Sequence, residues 1–555
     1  MNIKITLTRL AFSIFSMFCL TVNAQVSFTT DTASLGPFSG AQSCVVDMNN
    51  DHLDDIVRVN GSQVNISFQT ATGFSEQTFT PSPQQQNSPS WSIAAGDING
   101  DGYNDLLLGG STRVSFVYNN SATSFTADNS QTDYIFCQRS TFADIDNDGH
   151  LDAFVCHDVD QSHPYRNNGS GLLDEDQSLI VTADLAGNYA AIWVDYDNDR
   201  DIDLYITKCR QGSSHGDIER TNLMYRNNGD GTFTEVAASL GIADNAQSWA
   251  TVFDDLDNDG DMDAFIVTHS GGPIAANRYY RNNLMETGTA NFTDIIGSTG
   301  ISSSDLGAWE NAAGDFDNDG DIDIFSELNN ELYLNNGNNT FSGQNLNFDE
   351  GAIGDIDNDG DLDVVNGNTI YKNNGNSNDW IKINTIGVES NKNGIGARIE
   401  ATGSFGKQIR EVRSGQGFSH MSSLTTHFGF GAPETGRANV DDITIYWPSG
   451  TIDVINNPAL NTTLTVIEGD FPLSIEESLT NKLILHPNPA KEILTLSYSD
   501  NLQNPIFSVF DTTGKRVMNA KLESNTINIS KLSSGNYILR LISDGKAQIQ
   551  KFIKR

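Results

Sequence analysis

An acidic nine-residue segment recurs seven times in this chain, most plainly as Asp-Leu-Asp-Asn-Asp-Gly-Asp-Met-Asp from Asp255 to Asp263. The copies begin at Asp47, Asp97, Asp144, Asp195, Asp255, Asp315 and Asp355, so successive starts lie 40 to 60 residues apart. That period is the length of one four-stranded propeller blade. The spacing within each copy is a matter of coordination chemistry. A hard cation such as Ca²⁺ takes six to eight oxygens at roughly 2.3–2.6 Å, and side chains at positions 1, 3, 5 and 9 with the carbonyl at position 7 can supply them. In the fifth copy these are Asp255, Asp257, Asp259 and Asp263 with the Asp261 carbonyl, and Gly260 takes the sharp turn at position 6.

The same reading gives Asp97, Asn99, Asp101 and Asp105 with the Tyr103 carbonyl, and Asp144, Asp146, Asp148 and Asp152 with that of His150. It gives Asp315, Asp317, Asp319 and Asp323 with Asp321, and Asp355, Asp357, Asp359 and Asp363 with Asp361. Two copies depart from the pattern. The first, Asp47, Asn49, Asp51 and Asp55 with Leu53, has His52 at the turn, and the fourth, Asp195, Asp197, Asp199 and Asp203 with Asp201, has Arg200 there. A side chain in a left-handed turn is strained, so these two are expected to bind less tightly. The loops are not EF-hands, because position 12 is Leu108 in the second copy and Ile206 in the fourth, where an EF-hand has a bidentate Glu.

Short apolar stretches such as Trp91–Gly96 precede the loops and β-rich ones such as Ala264–Thr268 follow them, so each loop joins two strands. A second phrase, an aromatic followed by two asparagines, starts at Tyr165, Tyr225, Tyr280, Tyr333 and Tyr371 and marks the next hairpin. Two hairpins make a blade, and seven blades make a ring, an all-β seven-bladed propeller over residues 25–378. These residues resemble the FG-GAP repeat family, best known from integrin α-subunits, and more closely its bacterial FG-GAP-like relatives. The resemblance implies up to seven structural Ca²⁺ ions on one face of the disc and ligand binding on the other.

The first 24 residues read as a secretory signal: Lys4 and Arg9 precede the apolar run Leu10–Val22 and a cleavage site at Val22-Asn23-Ala24. No later segment has the ~20 apolar residues of a membrane-spanning helix. Of the remaining cysteines Cys44, Cys137, Cys156 and Cys209, the second and third flank one loop on strands expected to be adjacent, and are either a disulfide or two free thiols. Residues 25–378 hold 55 Asp and Glu against 12 Lys and Arg. Such a field repels phosphate backbones, which argues against nucleic-acid partners, and without metal it loosens the fold.

From Asp379 to Gly469 the charge is nearly balanced, and a separate β domain is expected. Its phrases Asn391–Arg398, Arg413–Phe418, His427–Gly431 and Trp447–Gly450 occur in the order seen in the ASPIC/UnbV domain, which follows such propellers in bacterial proteins and in the cartilage acidic protein family. After a linker over 470–479, residues 480–555 are basic and carry Leu485-His486-Pro487-Asn488-Pro489-Ala490, Val509–Gly514 and Leu532–Leu539. These resemble the type IX secretion C-terminal sorting domain of Bacteroidetes, a small Ig-like sandwich. The resemblance implies contact with that secretion machinery and a secreted or outer-surface location.

No catalytic motif stands out. Gly212–Gly216 fits the letters of a nucleophile elbow around Ser214, but no helix pattern follows it. Loop length is more informative: from the ninth loop position to the next tyrosine the gap is 13, 22 and 17 residues in copies three to five, but 10 and 8 in the last two. These longer connections carry His157, His163, Lys208, Arg210, His215, Arg220 and His269. Propeller geometry gathers them opposite the acidic loops, either as a ligand surface in which His157, Lys208, Arg210, His215 and His269 serve, or as a locally satisfied polar rim. The resulting expectation is extracellular recognition or adhesion toward a glycan or protein. A calcium-dependent polysaccharide-active enzyme such as a lyase and an envelope assembly scaffold are the alternatives.

Overall fold

The computed structural model describes residues 26–40, 43–183, 185–269, 275–432, 439–472, 483–497, 505–511, 515–522, 524–543 and 546–555. The expected leader, and the linker beyond residue 472, lie outside the described residues. Seven four-stranded antiparallel sheets succeed one another through Asn373, beginning with Ser43–Val46, Asp55–Val59, Val64–Thr70 and Gly73–Phe79. The seventh is completed from the other end of the chain: Phe28–Asp31 pairs with Thr369–Asn373, in register Phe28↔Asn373, and closes the ring.

The inner strands of each blade are buried on both faces and read as nearly continuous apolar runs, whereas the outermost, such as Gly73–Phe79, is largely exposed. Along the first strand Val45 faces blade seven, packing with Ile356 and Val365, while Cys44 and Val46 face blade two beside Ile93 and Leu107. Shared clusters of the same kind join blades three and four around Phe154 and Trp193, four and five around Tyr205 and Phe253, and six and seven around Phe316 and Ile353.

A side-chain staple repeats between blades. The first Asn of the Tyr-x-Asn-Asn phrase sends its amide back to the position-2 carbonyl of the preceding blade's acidic loop: Asn167 to Ile98 at 2.8 Å, Asn282 to Tyr196 at 2.9 Å, Asn335 to Leu256 at 2.7 Å and Asn373 to Phe316 at 2.8 Å. Asn119 does the same to Met48, and Gln69 to Ile356 across the closure. Asn227 instead reaches its own blade's Ile202 carbonyl at 3.4 Å.

The segment after the propeller packs closely against it. Its two sheets, Thr426–Gly431, Asp379–Ile386, Thr462–Ile467 and Gly406–Glu411, Arg398–Gly403, Val440–Tyr446, Ile452–Asn456, lie against the acidic-loop face. Between them the connection around Ser414–Met421 runs up into the central channel. Ser414 Oγ donates to the Ala95 carbonyl near the loop end of the channel at 2.8 Å. At the far end Arg139 donates to the Phe418 and His420 carbonyls at 3.0 and 2.9 Å, and the Glu310 carboxylate accepts from the Phe418 and Ser419 amides. Gly415 and Gly417 sit at φ +102° and +74°, and a Cβ on them would strike Arg139 and Glu310 respectively, so the thread requires glycine at both.

The last module is a sandwich of a three-stranded sheet (Ile484–His486, Ile493–Ser497, Thr526–Asn528) and a four-stranded one (Arg516–Lys521, Ile506–Asp511, Gly535–Ser543, Lys546–Lys554). The Cys137–Cys156 disulfide is not formed. All four described cysteines are buried. Cys137 pairs in register with His157, so Cys156 points to the other face of the sheet, into the cluster of Phe154 and Trp193.

Candidate functional site

Every acidic loop joins the two inner strands of its blade and is wound the same way. The first Asp accepts from the backbone of positions 5 and 6: Asp315 from Asp319 N at 3.0 Å and Gly320 N at 2.9 Å, Asp355 from Asp359 N at 3.0 Å and Gly360 N at 2.9 Å. The ninth ties the loop to the blade: Asp323 accepts from Phe316 N at 2.9 Å and from Asn335 N, the residue of the staple, at 2.8 Å. Left-handed backbone falls at position 4 as well as position 6. Asn50, Asn147, Asn198, Asn258, Asn318 and Asn358 lie between φ 55° and 61°, and Gly100 at 71°. Asparagine tolerates this region because its short amide bonds locally, so position 4 was a readable signal.

At position 6, His52 and Arg200 hold φ 67° and 75°. Arg200 has a compensating contact, its guanidinium lying 4.3 Å from the ring centre of Tyr446 in the domain above.

The loop chemistry fits Ca²⁺. Carboxylate oxygens of Asp144, Asp146 and Asp152 converge within 4.8 Å of one another, as do those of Asp195, Asp197 and Asp199, of Asp255, Asp257 and Asp259, and of Asp315, Asp317 and Asp323. Asp146 Oδ1, Asp197 Oδ1, Asp255 Oδ2, Asp259 Oδ2, Asp261 Oδ1 and Asp263 Oδ2 are shielded from solvent without a protein partner. Burial, reinforced by neighbouring carboxylates, drives Asp255, Asp263, Asp315, Asp323 and Asp363 well above the usual range. Such clusters of hard, negatively charged oxygens are complementary to a divalent cation. The docked domain already supplies part of the missing charge: Lys382 Nζ lies 2.5 Å from Asp355, Arg398 3.6 Å from Asp195 and Arg413 3.5 Å from Asp254.

The opposite face separates the residues expected there. Lys208 is wholly buried, its ammonium donating to the Ala186 carbonyl at 2.8 Å and Asn188 Oδ1 at 2.7 Å. His157 is 2% exposed; its Nδ1 accepts from the Phe136 and Val159 amides, and burial pushes its pKa down to about 4. Neither can meet a ligand, against the expectation for the ligand surface. Arg220 is likewise buried and donates to the Ser213 carbonyl at 3.0 Å. His163 stands 3.9 Å from Glu175. His215 is exposed on a turn. Arg210 is partly exposed, with Asp158 Oδ1 at 3.7 Å, and His269 stacks on Trp249 at 4.9 Å.

Sequence reading missed what lies between the last two. Trp91, Tyr189, Trp249 and Trp309 meet at the mouth of the channel, and Phe418 closes it from below. Each of the four stands six residues before a first loop Asp, namely Asp97, Asp195, Asp255 and Asp315. Extending the repeat alignment backwards would have found them.

Fold and loops together define an all-β propeller with an acidic, cation-suited loop in every blade. Its repeats are FG-GAP-like repeats, matched at residues 47–108, 97–155, 144–206, 212–266 and 255–326. An ASPIC and UnbV domain follows at 387–472, and a secretion system C-terminal sorting domain at 484–555. The chain is thus an FG-GAP-like repeat protein with an ASPIC/UnbV domain, carrying the type IX sorting domain that marks it for secretion and attachment to the cell surface. Among the described residues no helix is long and apolar enough to cross a membrane.

No curated protein matches the chain. Among solved structures, an Agrocybe aegerita lectin that specifically recognises non-reducing terminal N-acetylglucosamine is 16% identical, with TM-score 0.37, over 61% of this chain and 87% of its own. The extracellular domain of the hybrid two component system BT3049 from B. thetaiotaomicron is 11% identical, with TM-score 0.39, over 93% and 71%. At these scores neither bears on the ligand of this chain.

Proposed function

We propose that this protein is a surface-attached propeller that holds Ca²⁺ in its acidic loops for structure and recognises an extracellular glycan or protein with the opposite face. The observation that carries the reading is the position of the ASPIC/UnbV domain. It covers the loop face so closely that the Gly429 amide donates to Asp315 at 3.1 Å and a Cβ on Gly360 would overlap Trp380. The face bearing the long third-to-fifth blade connections is the one left open. Loops and side chains displayed on a rigid scaffold are the usual place for recognition.

The test is a screen of the secreted chain against surface polysaccharides and envelope proteins in Ca²⁺ and in EDTA, with the products of every hit checked for cleavage. Calcium-dependent binding without cleavage is expected. Cleavage would replace recognition with catalysis, and a folded, calcium-loaded chain that binds nothing would favour an assembly scaffold.

A further inference from the structure

The mouth of the channel is built in a way that the ring closure does not require. Trp91, Tyr189, Trp249 and Trp309 come from four different blades, each at the head of an innermost strand. Trp249 lies 4.2 Å from Trp309 and 5.2 Å from Tyr189, and Trp91 lies 5.9 Å from Trp309, ring centre to ring centre. Exposure rises through the stack: Phe418 is 1% exposed, Trp249 8% and Trp309 38%. The threaded loop, with Phe418 at its tip, already fills the bore, so an indole opened to water above it adds cost rather than core.

The surroundings say what would cover that surface. Neighbouring rings are tilted by 45° to 57° and packed on one another, which leaves no void for a quaternary ammonium group to be caged. The rim is polar and of both signs. His269 lies on Trp249 with Nδ1 shielded and unpartnered. Across the mouth Arg210 and Asp158 form an ion pair near Tyr189. Glu327 accepts from the backbone amide of Trp309. With 55 carboxylates against 12 cationic side chains over residues 25–378, the propeller repels polyanions. An apolar ring surface bordered by separate donors and acceptors, within a negative field, suits a molecule with apolar C–H faces and neutral hydroxyl edges.

We infer that the aromatic mouth binds a neutral glycan, one sugar ring lying on Trp309 with its hydroxyls reaching Arg210 and His269. This rests on the recognition reading above and gives it a site and a ligand class.

The experiment uses the whole secreted chain in millimolar Ca²⁺, with soluble mannan, laminarin and xylan as neutral probes, alginate as an anionic one and choline as a cationic one. Binding is read by affinity electrophoresis and by tryptophan emission. At least one neutral polysaccharide should retard the protein and shift its emission to the blue. Trp309→Ala should weaken that binding about tenfold or more, as aromatic anchors do, and Trp309→Phe should restore part of it, with the thermal midpoint unchanged in both. A neutral glycan bound equally well by Trp309→Ala overturns the site and leaves the recognition reading standing. Binding of alginate, choline or an envelope protein without any neutral glycan overturns the ligand class. Silence toward all three neutral polysaccharides overturns the inference, and the recognition reading falls with it only if the screen of proteins is silent too.

Discussion

Glu310 and His420 meet at the top of the threaded loop and pull stability in opposite directions over one range of pH. Burial raises the Glu310 carboxyl from 4.5 to about 7. Its folded form therefore prefers the proton: the contribution is complete below pH 4.5 and is lost as pH rises through 7. Burial lowers His420 from 6.5 to about 4, its Nδ1 accepting the Ser43 amide at 3.0 Å. That contribution is complete above pH 6.5 and is lost as pH falls toward 4. Denaturant titrations in Ca²⁺ from pH 4.5 to 7 should show Glu310→Gln losing stability relative to wild type as pH falls, and His420→Gln gaining it, each by on the order of 2–3 kcal/mol across the window. Parallel curves for all three proteins would show that neither group titrates as described. The loop aspartates drop out of the comparison because every variant keeps them. At this scale the sequence displayed the loop residues openly, since each oxygen donor has a fixed position in a repeat. It could not display burial. His157 and Lys208 stand at strand ends that read as exposed, and only folded neighbours from other segments, such as Ala186 and Asn188, close over the lysine.

The staple makes the Tyr-x-Asn-Asn phrase more than a turn. Asn167 donates both to Ile98 in the preceding blade at 2.8 Å and to Leu151 in its own at 3.2 Å, while its backbone amide donates to Asp152. Asn167→Ala leaves two buried carbonyls without that donor and should cost about 2–3 kcal/mol in calcium-loaded unfolding. Asn227→Ala removes the 3.4 Å bond to its own blade and the Gly229 amide's bond to Oδ1 at 3.1 Å but no bond between blades, and should cost less, about 1 kcal/mol. Equal losses in the two would sink the interblade account. The blades themselves were legible because period, loop and hairpin phrase agree with one another. The closing strand was not. Phe28–Asp31 finds its partner at Thr369–Asn373 on the other side of the repeat array, and no local pattern specifies so distant a pairing. The thread through the channel was hidden for the same reason, although Gly415 and Gly417 were visible within a phrase whose purpose the sequence alone does not reveal.

At the scale of the molecule, charge decides how the parts hold together. The chain carries 72 acids against 32 Lys and Arg. The ninth aspartate of every acidic loop is buried, as is the first in all but the opening copy, so water screens these carboxylates poorly. Lys382 and Arg398 offset part of that charge from above, and Arg413 that of the adjoining Asp254, while loop oxygens such as Asp255 Oδ2 and Asp263 Oδ2 have no protein partner. If Ca²⁺ occupies a loop at a hundred times its dissociation constant, it adds about 2.7 kcal/mol to folding at that loop, so several loops together outweigh the whole net stability of an ordinary domain. EDTA should therefore lower the thermal midpoint by at least about 10 °C at low salt. Added NaCl should return part of the loss by screening, and Mg²⁺ little of it, because Mg²⁺ demands a tighter octahedron than these long loops offer. Lys382→Met should enlarge the EDTA effect, since it removes the nearest resident cation from Asp355. Calorimetry with and without chelator decides the matter. A midpoint indifferent to EDTA would mean that the ASPIC/UnbV cations and protonated carboxylates suffice, and the seven loops would then be acidic turns bound to the domain above them rather than to metal.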